Sequence, residues 1–404
     1  MRDIRLNLPL KLVCRRAVCH HSYSFSSTMR CRLMKRCYSD IEPKPRGDSQ
    51  MQKKLIALAV AGLVSGAAFA QSNVVIYGVA DAGYVYGTDS YLDNTKSIHK
   101  MFSGGQSGSR LGFKGTEDLG NGLAATFRLE SGINIDNGTP AQNGGTFSRW
   151  ATVGLKGNSW GEIQMGRRDT FSDELIGGFD ATTRSTTAQA SPIMKDTGRW
   201  DNFFAYISPN WSGLTVKAGV STDINGQEVD ATPGVTANTR GYALAAQYVN
   251  AGLKLGASYD RTKNQKTTGY SPDTGNQWTV AAGYDFKVVA LSVEYGKINY
   301  AQELGEVRDV RTQYTIGAMV PFGPMNRLGL QYAHGKDSYN DAFSDDTQKM
   351  WGILFYHDMS KRTNLYVSYG QIRQDQDNRP ISLVGIDSQG TYQKAFMAGI
   401  RHQF

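Results

Sequence analysis

From residue 73 onward the chain alternates apolar and polar positions with a period of two. Leu123, Ala125, Phe127 and Leu129 fall on one side of an extended segment, and Thr126, Arg128 and Glu130 on the other. Leu253, Leu255, Ala257 and Tyr259 oppose Lys254, Ser258 and Asp260 in the same way. The pattern returns at Leu291, Val293, Tyr295, at Tyr314, Ile316, Ala318, and at Leu365, Val367, Tyr369. Such alternation specifies strands with one apolar and one wet face. Counting an opening strand near 73–87 and a closing one through Phe396, Ala398, Ile400, His402 and Phe404, sixteen antiparallel strands are predicted. Short turn-forming connections such as Asp118–Gly122, Asn250–Gly252 and Pro321–Met325 alternate with long polar ones, the longest being the third, 170–198. An even strand count, turns on one side and loops on the other, and a chain that stops on an aromatic all fit an all-β transmembrane barrel. A soluble sandwich also has short alternating strands, but it would need neither a secretion signal nor a charged second face on nearly every strand.

Composition changes the picture only after the chain is divided. Residues 51–70 read as a cleaved secretory signal: Lys53 and Lys54, an apolar stretch from Leu55 to Val64, then Ala68-Phe69-Ala70 before Gln71. Residues 1–50 hold all four cysteines and are expected to be an untranslated extension, with synthesis starting at Met51. Together these leaders carry 13 of the 44 Lys+Arg and 4 of the 36 Asp+Glu, so the remaining chain, 71–404, has 31 basic and 32 acidic residues. Its near-neutral balance removes the nucleic-acid reading that a basic whole-chain charge invites. The leader cysteines lack C-x-x-C spacing for zinc, and 71–404 contains no cysteine at all. Glycine makes up 42 of those 334 residues, well above the usual ~7%.

Enzyme chemistry would have to rest on a few particular residues. Gly157-Asn158-Ser159-Trp160-Gly161 matches a nucleophile elbow, yet that motif requires a strand-to-helix turn, and strands are predicted on both sides. His99, His334, His357 and His402 are scattered, so no Ser-His-acid grouping assembles. A lipase or protease barrel is the main competing class; a plugged transporter would need more strands and a plug domain than the length allows. No cofactor is implied.

Several motifs then carry a resemblance: Val75-Ile76-Tyr77-Gly78-Val79-Ala80-Asp81-Ala82-Gly83, Ser109-Arg110-Leu111-Gly112-Phe113-Lys114-Gly115-Thr116-Glu117-Asp118-Leu119-Gly120, Tyr206-Ile207-Ser208-Pro209-Asn210 and Gly399-Ile400-Arg401-His402-Gln403-Phe404. The chain from Asn73 to Phe404 resembles the trimeric general porins of Gram-negative outer membranes, especially the β-proteobacterial branch. The resemblance implies a 16-stranded barrel in a homotrimer with the third loop folded inward, passing small hydrophilic solutes and ions by diffusion. It also implies outer-membrane lipid and lipopolysaccharide as surroundings, and barrel-insertion machinery that reads the closing strand at Phe404.

Under that resemblance the third loop would place Asp173, Glu174 and Asp180 in the lumen, opposite a basic ladder of Arg110, Arg128, Arg167 and Arg199. Counting along the strands supports a common height. Arg110 lies 8 residues from Asp118, Arg128 7 from Asn121, Arg167 7 from Trp160 and Arg199 10 from Pro209. Tilted strands climb ~2.4 Å per residue, which puts all four roughly 17 to 24 Å above the short turns. Arg167 shares the parity of outward Ile163 and Met165 unless Gly166 breaks the alternation, and Phe203 and Ala205 are apolar where the sixth strand's inner face should be polar. Guanidinium groups stay charged beside one another, so such a ladder facing loop acids would set a transverse field across a narrow wet gap. The loop's course decides between anion and cation preference.

Overall fold

A computed structural model describes residues 73–89, 97–141, 145–226, 238–264, 274–300, 310–338, 345–375, 381–383, 386–388 and 392–404. The leader segments 1–50 and 51–70 lie outside the described residues.

Sixteen antiparallel strands close into a barrel. The first is β1 (Asn73–Asp89), and β2 is in two pieces, Ser97–Ser103 and Arg110–Gly120. Four short strands follow after β3 (Leu123–Gly132): β4 (Trp150–Gly157), β5 (Gly161–Asp169), β6 (Arg199–Ile207) and β7 (Leu214–Ser221). Longer ones complete the wall: β8 (Thr239–Asn250), β9 (Leu253–Asn264), β10 (Thr274–Asp285), β11 (Ala290–Asn299), β12 (Val310–Phe322), β13 (Asn326–Ser338), β14 (Asp346–Asp358), β15 (Thr363–Gln374) and β16 (Tyr392–Gln403). Each strand pairs with its sequence neighbour, and β1 pairs with β16 from Val79 opposite Gln403 to Asp89 opposite Gln393, which closes the cylinder. Closure matters because a sheet edge in lipid would leave backbone donors and acceptors unpaired. Phe404 continues the seam: its N–H donates to Gly78 O and its carbonyl accepts from Gly78 N–H, at 3.1 and 3.0 Å. In the last long connection, Ile381–Leu383 and Ile386–Ser388 form a small hairpin.

Register separates the two faces. The outward face is apolar in mid-strand, as at Val280, Leu291 and Ile316, all exposed on the isolated chain. Nearer the long connections it carries an aromatic belt in which Tyr259 lies opposite Trp278, Tyr295 opposite Tyr314, Tyr332 opposite Trp351 and Tyr369 opposite Phe396. Rings also touch between these pairs, Trp278 with Tyr295 at 5.5 Å and Trp351 with Tyr369 at 5.1 Å. Beyond the belt, every outward-facing charged side chain on β8–β16 among the described residues is basic, Lys349 opposite Arg373 being one pair. Aromatic rings at the interface and apolar side chains at mid-depth match a strand wall in a bilayer.

The third long connection turns into the barrel instead of standing above it. It begins with α1 (Phe171–Phe179) and then lies along the inner face of β9–β16. Ile176, Ala188, Ala190, Ile193 and Met194 of this segment form one buried core with Ala333, Met350, Leu354, Tyr356 and Met397 of the wall. The barrel's principal core is therefore inside the lumen and fills one side of it.

Candidate functional site

The inward loop starts where an extra residue on β6 interrupts its pairing with β5. Gly166 adopts φ 128° and Asn202, across on β6, φ 48°, and the register shifts between Gly166 and Arg168. A Cβ at residue 166 would stand 2.0 Å from Ala151 O, so this position requires glycine. Thr170 then caps α1, its Oγ1 accepting the Asp173 N–H at 3.3 Å. Phe171 packs with Trp200, Phe203, Ala205 and Ala243, which accounts for the apolar inner face of β6: those positions meet the loop, not water.

Alternation on β5 holds through Gly166 and decides which arginine enters the lumen. Arg167 stands opposite Ala151 in the outward register and binds Asp201 at 2.6 Å and Ser148 O at 2.7 Å. Arg168 is the lumenal residue. It is 3% exposed, held between the rings of Trp150 (4.8 Å) and Phe171 (5.3 Å), and it donates to Gln164 at 2.6 Å and to Glu174. Arg128 faces the lumen too. It stacks on Trp150 at 4.0 Å, donates to Tyr77 at 2.8 Å and pairs with Glu130 at 2.7 Å. Arg149 closes on the other oxygen of Glu130 at 2.7 Å. Arg110 shares the inner face with Glu130, Arg128 and Lys114, and donates to Gly108 O at 3.1 Å. Arg199 pairs with Asp169 at 2.7 Å.

The loop acids are all engaged. Glu174 bridges Arg168 and Lys217, the latter at 2.6 Å, and so straps the first turn of α1 to the wall. Burial works to raise its pKa, but those two cations outweigh burial and hold the carboxyl below its ordinary value. Asp173 pairs with Arg184 of its own loop at 3.0 Å. Burial, with Asp196 nearby, pushes it up to about 7 even so. Asp180 ends the helix and accepts from Thr182 N–H (2.7 Å), Thr182 Oγ1–H (2.6 Å) and Ala190 N–H (3.1 Å), folding the following turn instead of facing a gap. The remainder is fixed by wall side chains: Gln331 accepts from Ala181 N–H at 3.0 Å, Arg311 donates to Ile193 O at 2.8 Å, and Gln277 and Gln313 donate to Lys195 O at 2.7 and 2.8 Å. Glycine gives the backbone room to lie this close. A Cβ at Gly370 would stand 1.7 Å from Thr187 O, and one at Gly352 2.3 Å from Ala188 O.

What stays open is the other side. A cavity of about 810 Å³ lies against β1–β7 and α1, lined by Lys114, Lys156, Arg128, Arg168 and Lys217 but by only two acids, Glu162 and Glu174. Lys114 and Lys156 have no ion-pair partner among the described residues. Low-dielectric walls around such a cluster concentrate a positive potential in the water between them. Arg168, Lys217 and Arg149 join the four arginines that the sequence singles out. Lys217 was within reach, since Leu214, Val216 and Val220 share the opposite parity, and so was Arg168, since outward Ile163 and Met165 are of the opposite parity to it. Among the described residues no group of three or more His, Cys, Asp or Glu is placed to hold a metal. Gly157–Gly161 is the turn between β4 and β5, and Phe404 lies on the outer face with its ring against Gly78.

Known proteins share this arrangement. A profile of the Gram-negative porin family matches residues 57–377. An outer membrane porin protein of Bordetella pertussis is 30% identical over 402 residues, covering 88% of this chain and all of that one. Outer membrane porin protein 32 of Delftia acidovorans is 31% identical over 376 residues with the same coverage. The structure of an anion-selective porin from Comamonas acidovorans superposes with a TM-score of 0.69 at 26% identity, covering 82% of this chain and 100% of that one. The closed sixteen-strand barrel, its inward third loop and these relatives place the chain in the Gram-negative porin family, as an outer-membrane channel for passive diffusion of small hydrophilic solutes and ions.

Proposed function

We propose that this channel favours small anions, and that the observation carrying the preference is the basic lining of the open cavity, five cationic side chains to two acidic. Diffusing anions would be drawn along Lys114, Arg128 and Arg110 while the loop acids are already occupied by Arg168, Lys217 and Arg184. Arg199 supports the same field from the edge of the loop. The anion-selective relative from Comamonas acidovorans is consistent with this reading. No catalytic step and no cofactor is invoked. Reversal potentials across a planar bilayer in a salt gradient test it: replacing Arg128 and Arg168 by glutamine should move selectivity several-fold toward cations, whereas Arg167→Gln should leave it in place. Unmoved potentials in the double variant would reject the reading.

The functional unit is proposed to be a homotrimer. On the short-strand side β4–β7, outward Val153, Met165 and Phe204 are exposed beside the Arg167–Asp201 pair, a charged patch that suits a neighbouring subunit better than lipid. The outward basic side chains near the long connections suit the phosphates of lipopolysaccharide and other outer-membrane lipid. Phe404, at the seam, is the residue the insertion machinery would read. Residues 51–70 are proposed to be removed as a signal, so that the mature chain begins at Gln71.

A further inference from the structure

One acid deep in the wall has no part in the passage described so far. Asp81 of β1 is fully buried, and its register opposite Arg401 turns it inward. Facing it, β2 is broken: between Ser103 and Arg110 the chain leaves the sheet. The Asp81 carboxylate collects three successive backbone N–H groups of that excursion, Gly105 at 3.0 Å, Gln106 at 3.0 Å and Ser107 at 2.7 Å, together with the Tyr366 phenol from β15 at 2.8 Å. Ser109 completes the frame, donating to Asp81 O at 2.9 Å and accepting from Asp81 N–H at 3.0 Å. Four donors converging on one side chain suit an acceptor-only group, and asparagine, with a single acceptor oxygen, cannot take them all.

Folded this way, the excursion presents its carbonyls to the constriction loop. Gly105 O accepts Thr186 N–H at 2.8 Å and Ser185 Oγ–H at 3.1 Å, and Gly104 O accepts Thr186 Oγ1–H at 2.7 Å. This part of the loop has no helix or strand of its own and holds Thr183 and Arg184 at positive φ, 54° and 60°. Its position therefore comes from what it rests on. Among the described residues, the turn is tied to β15 by the hydrogen-bonded hydroxyls of Thr187 and Ser368.

We propose that Asp81 is the positioning residue of the constriction: by holding residues 104–107 as a shelf it fixes where the 185–187 turn rests, and so sets the width of a passage it does not line. The proposal rests on residues 170–198 being the constriction loop and not on the charge preference, so conductance and selectivity experiments fail independently. Single-channel recording of Asp81→Asn in the whole barrel is the test, with resistance of the folded form to SDS as the control for the wall. Loosening one loop contact set should raise open-channel current noise roughly twofold and raise mean conductance, with the barrel still SDS-resistant. A Thr187→Cys, Ser368→Cys pair in that background, clean because 71–404 has no cysteine, should restore quiet current when oxidised and lose it on reduction. Where Asp81→Asn does not insert, Tyr366→Phe removes one of the four donors and should act in the same direction more weakly. A folded variant as quiet as the parent, or a defect that the oxidised cross-link leaves in place, would overturn the proposal.

Discussion

The walls β1–β7 and β9–β16 enclose the same lumen and do opposite work in it. The first is basic and open along the cavity, with Lys114, Arg128, Arg168 and Lys217 around that space, and meets the loop at β6 through Phe171. The second is covered. Its inward acids Asp260 and Glu294 are 1% and 0% exposed, and its inner glycines and small side chains receive the backbone of the loop. The contrast teaches that a channel with nearly balanced charge acquires a sign by covering one half of its lining. Net charge over 71–404 says nothing about it.

Releasing the cover should blur the two walls most. Glu174→Ala removes the strap and leaves Arg168, 3% exposed, without its anion, which weakens docking of the loop, not the barrel wall, by about 3–5 kcal/mol at the usual cost of breaking a buried pair. Single-channel conductance should rise markedly, with thermal unfolding of the barrel nearly unchanged; unchanged conductance would mean the loop is held without Glu174. A smaller effect should follow from pH. Asp173 has its pKa raised to about 7 by burial and Asp196, so its proton stabilises the docked loop fully below the ordinary carboxylate range and that contribution is lost as pH rises through about 7. Deprotonation also adds a negative charge to the constriction. Anion preference should therefore fall between pH 5 and pH 8, and Asp173→Asn should abolish that slope.

The strands were legible because lipid on one side and water on the other enforce period two, and the sixteen expected segments match the sixteen observed. Less regular places have physical reasons. The inner face of β6 reads as irregular because Phe203 and Ala205 meet Phe171 of the loop, a contact no local pattern encodes. α1 places Phe171, Leu175, Ile176 and Phe179 on one buried side, but it is 9 residues long and includes Gly177 and Gly178, which weakens any helical signal. Arg168 and not Arg167 enters the lumen because alternation on β5 continues through Gly166, in keeping with the parity of Ile163 and Met165. The directions of Asp173, Glu174 and Asp180 depend on where the loop lies, and that is written in the wall, partly as the glycine excess, instead of in the loop.

Accessibility of single cysteines during current recording compares the two walls directly. Thr116→Cys lines the open cavity, and Ser258→Cys sits behind the loop between Gly256, which meets Leu175, and Asp260, which accepts from Thr197. A small anionic thiol reagent should block current through the Thr116→Cys channel rapidly and leave the Ser258→Cys channel conducting. Equal rates of block at the two positions would contradict a lumen whose second wall is covered.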